Sequence, residues 1–531
     1  MDFLKDLSIL VLGLGDSGLA MARWCAQHGG RVTVWDSRAQ PPQAASLRSD
    51  LPDVRLMTGE LPATALAGVQ LVLKSPGLPP DDARIAPLLT EARATAIAVL
   101  GELDLFARAL LDLRRSRDYA PRVLAITGTN GKTTTTAMTA LLVARTGRRV
   151  ATAGNIGPTL LDTLAAALAA ALASTGPLPQ VWVLELSSFQ LEGGGFGLNA
   201  SSGFEPDAAA LLNITQDHLD WHGGMAAYGA AKGHVFGVAA SGAVPRTVMV
   251  VNRDDAAVEA LAASAQPQPP AGKVKVRDRL PQRPVVRFGL DAPQAPGDFG
   301  LVVENGMAWL VRANPVDETL KRKKGEEAEI HLQRLMPADA LRVRGRHNAA
   351  NALAALALAS AIGCPLAPML HALRDYAGEP HRVQFVGQIG DVEAFDDSKG
   401  TNVGATVAAL LGLGADKAPS RLVVILGGDG KGQDFSPLVA PLQRHAAAIA
   451  TLGRDAEAIE ATIGTHLPGV PLQRHASLEA AVAWCFDQAQ PGDAVLLSPA
   501  CASLDMFRNY AHRAEVFVQA VQALAAARGQ V

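Results

Sequence analysis

Short apolar runs alternate with longer segments of helical period along most of the chain, the pattern of a parallel α/β protein. The run Ile9 to Leu12 predicts a strand, and an Ala/Leu-rich helical segment follows it. Arg31 to Trp35 predicts a second strand, and LVLKSPG (71–77) predicts another that runs into a turn. Near 113–121 the chain turns polar, LRRSRDYAP, which marks a boundary. A second α/β unit opens with RVLAIT (122–127) and continues with strands at VWVLELS (181–187) and AAALLNIT (208–215) and an Ala/Leu helix over 346–362. After the loop AGEPHR a third unit is expected, with strands RLVVILGG (421–428) and DAVLLSP (493–499). The segments 262–283 and 313–333, Pro-rich and then carrying KRKKGEEAE, are polar and weakly periodic, and read as surface excursions. The expected fold class is α/β with three consecutive domains, 1–117, 118–378 and 379–531: Rossmann-like, P-loop ATPase-type and Rossmann-like.

Composition agrees with several cores: 531 residues exceed what one hydrophobic core organises, and 49% hydrophobic with 19% charged residues is globular. A net charge of −3 gives no basic footprint for nucleic acid or an anionic membrane. Any anionic ligand must then be held by loops, helix N-termini and individual cations. The four cysteines (Cys25, Cys364, Cys485, Cys501) form no CxxC pair, which suits a reducing cytoplasm and gives no metal-site signal. Asp2 and Asp6 stand where a signal peptide is basic, and the run Leu164 to Ala173 is too short to span a bilayer. A soluble, cytoplasmic protein is expected.

Two loops carry phosphate chemistry. Gly13-Leu14-Gly15-Asp16-Ser17-Gly18 fits GxGxxG, and Asp36 ends the next strand about 20 residues on, where a ribose-binding acid sits in dinucleotide folds. Such a turn cradles any nucleotide diphosphate, so NAD and a UDP-linked substrate fit it alike. The second loop, Gly128-Thr129-Asn130-Gly131-Lys132-Thr133, lies between a strand and a helix. Its backbone N–H groups and helix N-terminus point at phosphates, Lys132 can reach the β/γ oxygens and Thr133 can ligate Mg²⁺. Ile126 holds the place of the first glycine of a Walker A loop, GxxxxGK[ST]. Glu185 ends a buried-type strand beside Ser187, Ser188 and Gln190, and an Asp-His step brings His218 just past another strand end. Asn348 and Asn351 lie i, i+3 on an otherwise apolar helix, where asparagine is a poor residue unless it makes polar contacts.

These loops belong to a longer series: AITGTNGKT (125–133), GNIG (154–157), LELSSFQLE (184–192), NITQDHLDWH (213–222), YGAAKGHVF (228–236), GRHNAANALAA (345–355), EPHRVQ (379–384), DDSKGTNVGAT (396–406), GGDGKGQDFS (427–436) and SPACASLDMFRNY (498–510). Through all three domains the series resembles the Mur ligase family, and within it the branch that adds D-glutamate. The resemblance implies ATP-dependent ligation of D-glutamate to UDP-N-acetylmuramoyl-L-alanine through an acyl phosphate, in peptidoglycan precursor synthesis. It implies that Gly128, Thr129, Asn130, Gly131, Lys132, Thr133, Thr134, Asn348, Asn351, Arg382 and Asp397 bind ATP. Gly15, Ser17, Asp36, Ser37, Ser75, Asn155 and His218 would hold the UDP substrate, which makes the first loop a uridine-diphosphate loop. Lys399, Thr401, Lys431, Ser503, Leu504 and Tyr510 would form the D-glutamate pocket. Lys132, Glu185, His218 and Lys232 would be the catalytic set, and Thr133, Glu185, His218 and a carbamylated Lys232 would hold two Mg²⁺ ions. The partners implied are small molecules only, with no nucleic acid and no membrane insertion, acting on a monomer. Three other readings stay open at this point: another Mur-type ligase or folylpolyglutamate synthetase, an NAD-dependent oxidoreductase fused to a P-loop domain, and a non-catalytic nucleotide-binding regulator.

Overall fold

In the computed structural model, which describes residues 2–193, 203–237, 244–267, 281–316, 329–343 and 345–530, the apolar runs become three separate sheets. The first joins β1 (Ser8–Leu12), β2 (Arg31–Asp36), β3 (Arg55–Thr58), β4 (Leu71–Lys74) and β5 (Ala98–Leu100) in the order β3-β2-β1-β4-β5, all parallel. The second holds β6 (Arg122–Thr127), β7 (Val150–Gly154), β8 (Val181–Glu185), β9 (Ala208–Leu211), β10 (Val248–Asn252), β11 (Val285–Phe288), β12 (Phe299–Glu304), β13 (Met307–Pro315) and β14 (Ile330–Pro337). Its order is β14-β13-β12-β11-β10-β9-β6-β8-β7. The third holds β15 (Gln384–Ile389), β16 (Val392–Asp396), β17 (Leu422–Gly427), β18 (Ala446–Leu452), β19 (Leu472–Arg474) and β20 (Ala494–Leu497), ordered β15-β16-β20-β17-β18-β19. The fold is the expected three-unit α/β architecture.

The first two sheets each have a strand from which the chain leaves in both directions, and the crevice at the carboxyl ends of the strands there is where such folds bind ligands. In the first sheet it is β1, flanked by β2 and β4; in the second it is β6, flanked by β8 and β9. The two phosphate loops follow these two strands directly. The strands of these centres are buried on both faces, as parallel strands covered by helices must be.

The polar segment 313–333 departs from its expectation. Ala313 to Pro315 complete β13 and Ile330 to Gln333 begin β14, an antiparallel pair in which Pro315 faces Ile330. The strands were hidden because one face is solvated: Leu332 is exposed, so apolar alternation is lost along β14. The charge run itself lies outside the described residues, as does most of 262–283. The helix Glu102–Arg117, next to the polar boundary, packs both ways: Phe106 meets Trp182 of β8 edge-on at 5.1 Å, and the first core continues into the second.

The third glycine of the first loop has a packing reason to be glycine. A Cβ on Gly18 would lie 1.9 Å from the Gly13 carbonyl oxygen and 2.9 Å from Ser75 Oγ. Gly18→Ala is therefore expected to destabilise the first domain by about 1–3 kcal/mol, the usual cost of overpacking. A thermal melt showing an unchanged first transition would contradict this.

Candidate active site

The first loop is braced before any ligand arrives. Gly13 turns at φ +87°, its N–H donates to Trp35 O at 2.7 Å, and Ser75 Oγ donates to its carbonyl at 2.9 Å. Leu14 N–H donates to Asp36 Oδ2 at 2.7 Å. Asp36 is buried and also takes the Arg38 guanidinium; burial pushes its carboxyl up, but the hydrogen bonds from Arg38 and Leu14 win and hold it below the usual range. Both Asp36 oxygens are thus already engaged by the loop and by Arg38. Asp16, the acid within the loop, is exposed and accepts from Gln43 Nε2 at 2.7 Å. A cavity of about 520 Å³ opens here, lined by Gly15, Ser17, Asp36, Ser37, Ser75 and Asn155. Arg38 and Arg84 line it as well, and Arg84 donates to Ser37 Oγ at 2.8 Å. These two cations sit between the motifs and were not singled out from the sequence.

The second loop ends at Gly131, whose φ of +83° starts the helix Lys132–Arg145. Lys132 Nζ curls back over the loop and donates to the carbonyls of Gly128 at 3.0 Å and Thr129 at 2.8 Å. Lys232, from the helix Met225–Gly233, donates to the same Gly128 carbonyl at 2.8 Å and is 2% exposed. Burial and the neighbouring Lys132 hold the Lys232 amine well below the usual lysine range. Burial lowers Lys132 as well, against the pull of Glu185 and Asp217.

Glu185 pairs in register with Ile126 of β6 and Gly154 of β7, which sets its carboxylate at the level of the phosphate loop. Asn155 Nδ2 donates to Glu185 Oε1 at 2.9 Å. His218 adopts φ +52°, with Nε2 3.5 Å from Asp217 Oδ2 and Phe189 edge-on at 4.6 Å. Burial lowers its pKa to about 4, so the imidazole is neutral at physiological pH and keeps a lone pair.

The third unit closes over this floor. Arg382 Nη2 donates to Thr133 Oγ1 at 2.6 Å, Lys431 Nζ lies 3.4 Å from Asp217 Oδ1, and Asn402 pairs with Asn130 through two amide contacts of 3.0 and 3.2 Å. Lys399 sits over the Tyr510 ring, 3.8 Å from its centroid, and burial with the nearby Arg382 brings its amine down to about 8. A cleft of about 470 Å³ is shared by Thr129, Asn130, Gly131, Lys132, Thr133, Asn155, Glu185, His218, Arg382, Lys399, Thr401, Lys431, Ser503, Leu504 and Tyr510. Asn155 and Phe189 line both this cleft and the first cavity, so the two communicate.

Asn351, Asp397 and Thr134, also expected at the site, are buried and do not line the cleft. Asn351 supports the loop: a Cβ on Gly131 would meet its Oδ1 at 2.5 Å, and its Nδ2 donates to Asn348 Oδ1 at 3.2 Å. Asp397 is enclosed and accepts from Ser498 Oγ at 2.6 Å, with burial raising its carboxyl to about 7. Thr134 is buried against Tyr376. Asp217 and Asn402, which tie the third unit to the second, were not singled out from the sequence; Asp217 was visible only as the neighbour of His218.

Lys132, Lys232, Arg382, Lys399 and Lys431 converge on the carboxylates of Glu185 and Asp217, a local positive excess inside a chain of net charge −3. Comparison with known proteins gives the family. Residues 7–101 match the Mur ligase MurD-like N-terminal domain, 126–278 the Mur ligase middle domain, and 381–501 the Mur ligase glutamate ligase domain. The chain belongs to the Mur ligase family. Among its curated relatives, the UDP-N-acetylmuramoylalanine--D-glutamate ligase of Albidiferax ferrireducens is 58% identical over 100% of this chain and 98% of its own. The ligase of the same name from Ralstonia nicotianae is 54% identical over 98% of each. Two solved structures share the fold: the UDP-N-acetylmuramate-alanine ligase of Thermotoga maritima (19% identity, TM-score 0.54, covering 97% of this chain and 99% of that one) and the MurF ligase of Thermotoga maritima in complex with ADP (14%, TM-score 0.54, covering 98% and 96%).

Gly15 gives this family's first loop a direct test. A Cβ there meets nothing of the protein within 4 Å, unlike one on Gly18. Gly15→Val is expected to fold normally, to raise KM for a UDP-linked substrate about tenfold, and to leave KM for ATP unchanged. Equal effects on both substrates in steady-state kinetics would contradict the assignment of that cavity.

Proposed function

We infer that this chain ligates D-glutamate to UDP-N-acetylmuramoyl-L-alanine at the expense of ATP, with Mg²⁺. The observation that carries the reading is the cleft itself: half-buried cations gathered from two domains, in a cleft that communicates with the cavity at the first loop, where the first step must bring a carboxylate against a triphosphate. The reaction couples two anions, so positioning and charge neutralisation are the protein's task.

In this reading the first domain (1–117) holds the uridine diphosphate through Gly15, Ser17, Asp36, Ser37 and Ser75. Asn155 and Phe189, shared by both cavities, guide the muramoyl-alanine toward the central domain (118–378). There Lys132 swings from its own loop carbonyls to the ATP phosphates, Gly128 to Thr134 supply N–H groups and hydroxyls, and Asn348 and Asn351 shape the adenine side. Arg382 and Asp397 of the third domain (379–531) complete the nucleotide site. The substrate carboxylate attacks the γ-phosphoryl group, the bond to the β,γ-bridging oxygen breaks, and ADP leaves to give an acyl phosphate. The neutral amine of D-glutamate then adds to its carbonyl carbon, and phosphate leaves as the nitrogen gives up a proton. Lys399 and Lys431 meet the carboxylates of D-glutamate, while Thr401, Ser503, Leu504 and Tyr510 bound its pocket. The chain acts as a cytoplasmic monomer; among the described residues no helix is long and apolar enough to cross a membrane.

The donor set suits Mg²⁺. Among the described residues no three His, Cys, Asp or Glu side chains gather as a ready-made site. Mg²⁺ is commonly held by one or two carboxylates together with substrate phosphates. Thr133 and the buried Glu185 would hold one ion, and His218 with Lys232 a second. When bound, the ions neutralise the phosphate charge that opposes attack. An ammonium at Lys232 would repel a cation, but burial and the neighbouring Lys132 favour its neutral amine, the form that adds to CO₂ and then releases a proton to solvent. The resulting carbamate would supply an anion at that position.

Phosphate release should depend on D-glutamate together with UDP-N-acetylmuramoyl-L-alanine, with little from L-glutamate or D-alanine. Equal turnover with L-glutamate would move the assignment to another ligase. Lys232→Ala should lose activity about a hundredfold with its fold intact, and acetate or formate should restore part of it. Lys232→Arg should be inactive and not rescued, since the guanidinium keeps its charge. Full activity in either variant would remove the carbamate from the reading.

A further inference from the structure

Glu102 is a buried carboxyl for which the reaction just described has no use. It opens the helix Glu102–Arg117, is 2% exposed, and lies at the seam between the first and central domains. Its Oε1 accepts the Leu161 N–H at 3.0 Å, capping the helix Leu160–Leu172 from the neighbouring domain. That N–H lies in the helix's first turn and has no acceptor within its own helix, and an anion is favoured at a helix N-terminus. Glu102 Oε2 is enclosed and has no hydrogen-bond partner of its own, although the Ser17 hydroxyl of the first loop adjoins the carboxyl. Ser17 and Thr159, the residue that caps the same helix, both line the first cavity.

We propose that Glu102 is a positioning residue of the nucleotide pocket: its carboxyl ties the Ser17 loop to the N-terminus of helix Leu160–Leu172 and takes up a proton from solvent when a diphosphate-bearing substrate binds. The inference rests on the ligase reading above. Ionised, the carboxylate draws the Ser17 hydroxyl proton to itself and places a second negative charge beside the diphosphate. Protonated, it donates through Oε2 to Ser17 Oγ, and the Ser17 hydroxyl turns outward to the phosphate oxygens. The protonated form therefore binds the anion better, and by linkage the anion favours the protonated form.

The surroundings place this exchange near neutrality. Burial pushes the Glu102 carboxyl up to about 7 against the Leu161 N–H and the Ser17 hydroxyl, which favour the charged form, and Asp162 raises it further. Asp162, in the first turn of the facing helix, pairs with Arg23 at 3.3 Å, and Arg23 also pairs with Asp50. Asp16 begins the Ser17 helix and Asp104 lies two residues along Glu102's own helix, where it accepts the Gly101 N–H at 2.8 Å.

Calorimetric titration of UDP-N-acetylmuramoyl-L-alanine in buffers of different ionisation enthalpy tests this at pH 7. The wild type should take up about half a proton per site, the fraction a group of that pKa leaves open. Glu102→Gln, which keeps an acceptor for Leu161 and a donor for Ser17, should bind as tightly with that uptake gone. Glu102→Ala should raise KM for the UDP substrate about tenfold, with KM for ATP and kcat little changed. Equal proton uptake in wild type and Glu102→Gln, or an unchanged KM in Glu102→Ala, overturns the proposal while leaving the ligase reading intact. Absence of any binding to the wild type overturns the ligase reading, and this inference with it.

Discussion

Two lysines share one carbonyl oxygen. Lys132, which lines the cleft, and the buried Lys232 both donate to Gly128 O, at 3.0 and 2.8 Å. Two like charges on one acceptor repel, and with burial this holds the Lys232 amine well below the usual lysine range. Loss of a proton or arrival of anions relieves that repulsion, and the rest of the cleft is arranged around it. Glu185 and Asp217 offset part of the positive charge; Arg382, Lys399 and Lys431 then add to it from above. The excess suits polyanionic reactants and would be costly for neutral ones.

The topology makes the convergence possible. β1 and β6 each stand where the chain departs in opposite directions, so each leaves a crevice at its carboxyl end, and each is followed at once by a glycine-rich turn. Glu185 and Asn155 reach the second crevice from β8 and the end of β7, and His218 from the segment after β9. The third unit contributes through a few polar contacts: Arg382 to Thr133, Asn402 to Asn130 and Lys431 to Asp217. Its apolar clusters are separate from those of the other two units, whereas the first two share one through Phe106 and Trp182. The seam between the first and second units is thus packed, and the seam between the second and third, where the cleft lies, is polar.

Much of this was legible in the residues. The central strands announce themselves because parallel strands covered on both faces read as unbroken apolar runs; RVLAIT became β6 over the same residues, 122–127. The phosphate loops were legible because glycine and lysine occur there at a fixed spacing. What stayed hidden has physical reasons. β13 and β14 extend the second sheet with one face in solvent, so their polarity resembled a loop. Asp217 and Asn402 act through partners far away in sequence, and Arg84 reaches Ser37 across 47 residues, which no local spacing reveals. Arg38 pairs with Asp36 two residues away, but its place beside the first cavity depends on the fold. Asp397 and Asn351, which the resemblance assigns to ATP, are buried beside the cleft and bonded to Ser498, Thr135 and Asn348, partners that no motif spacing shows. Glu102 gave no local signal, because its partners lie on two other elements.

The account turns on the chemical state of Lys232. The most direct measurement is carbon NMR of the intact protein equilibrated with isotope-labelled bicarbonate, alongside Lys232→Ala. The account predicts a single carbamate resonance in the wild type that disappears in the variant. A wild type without that resonance, or a resonance that survives the substitution, would contradict it.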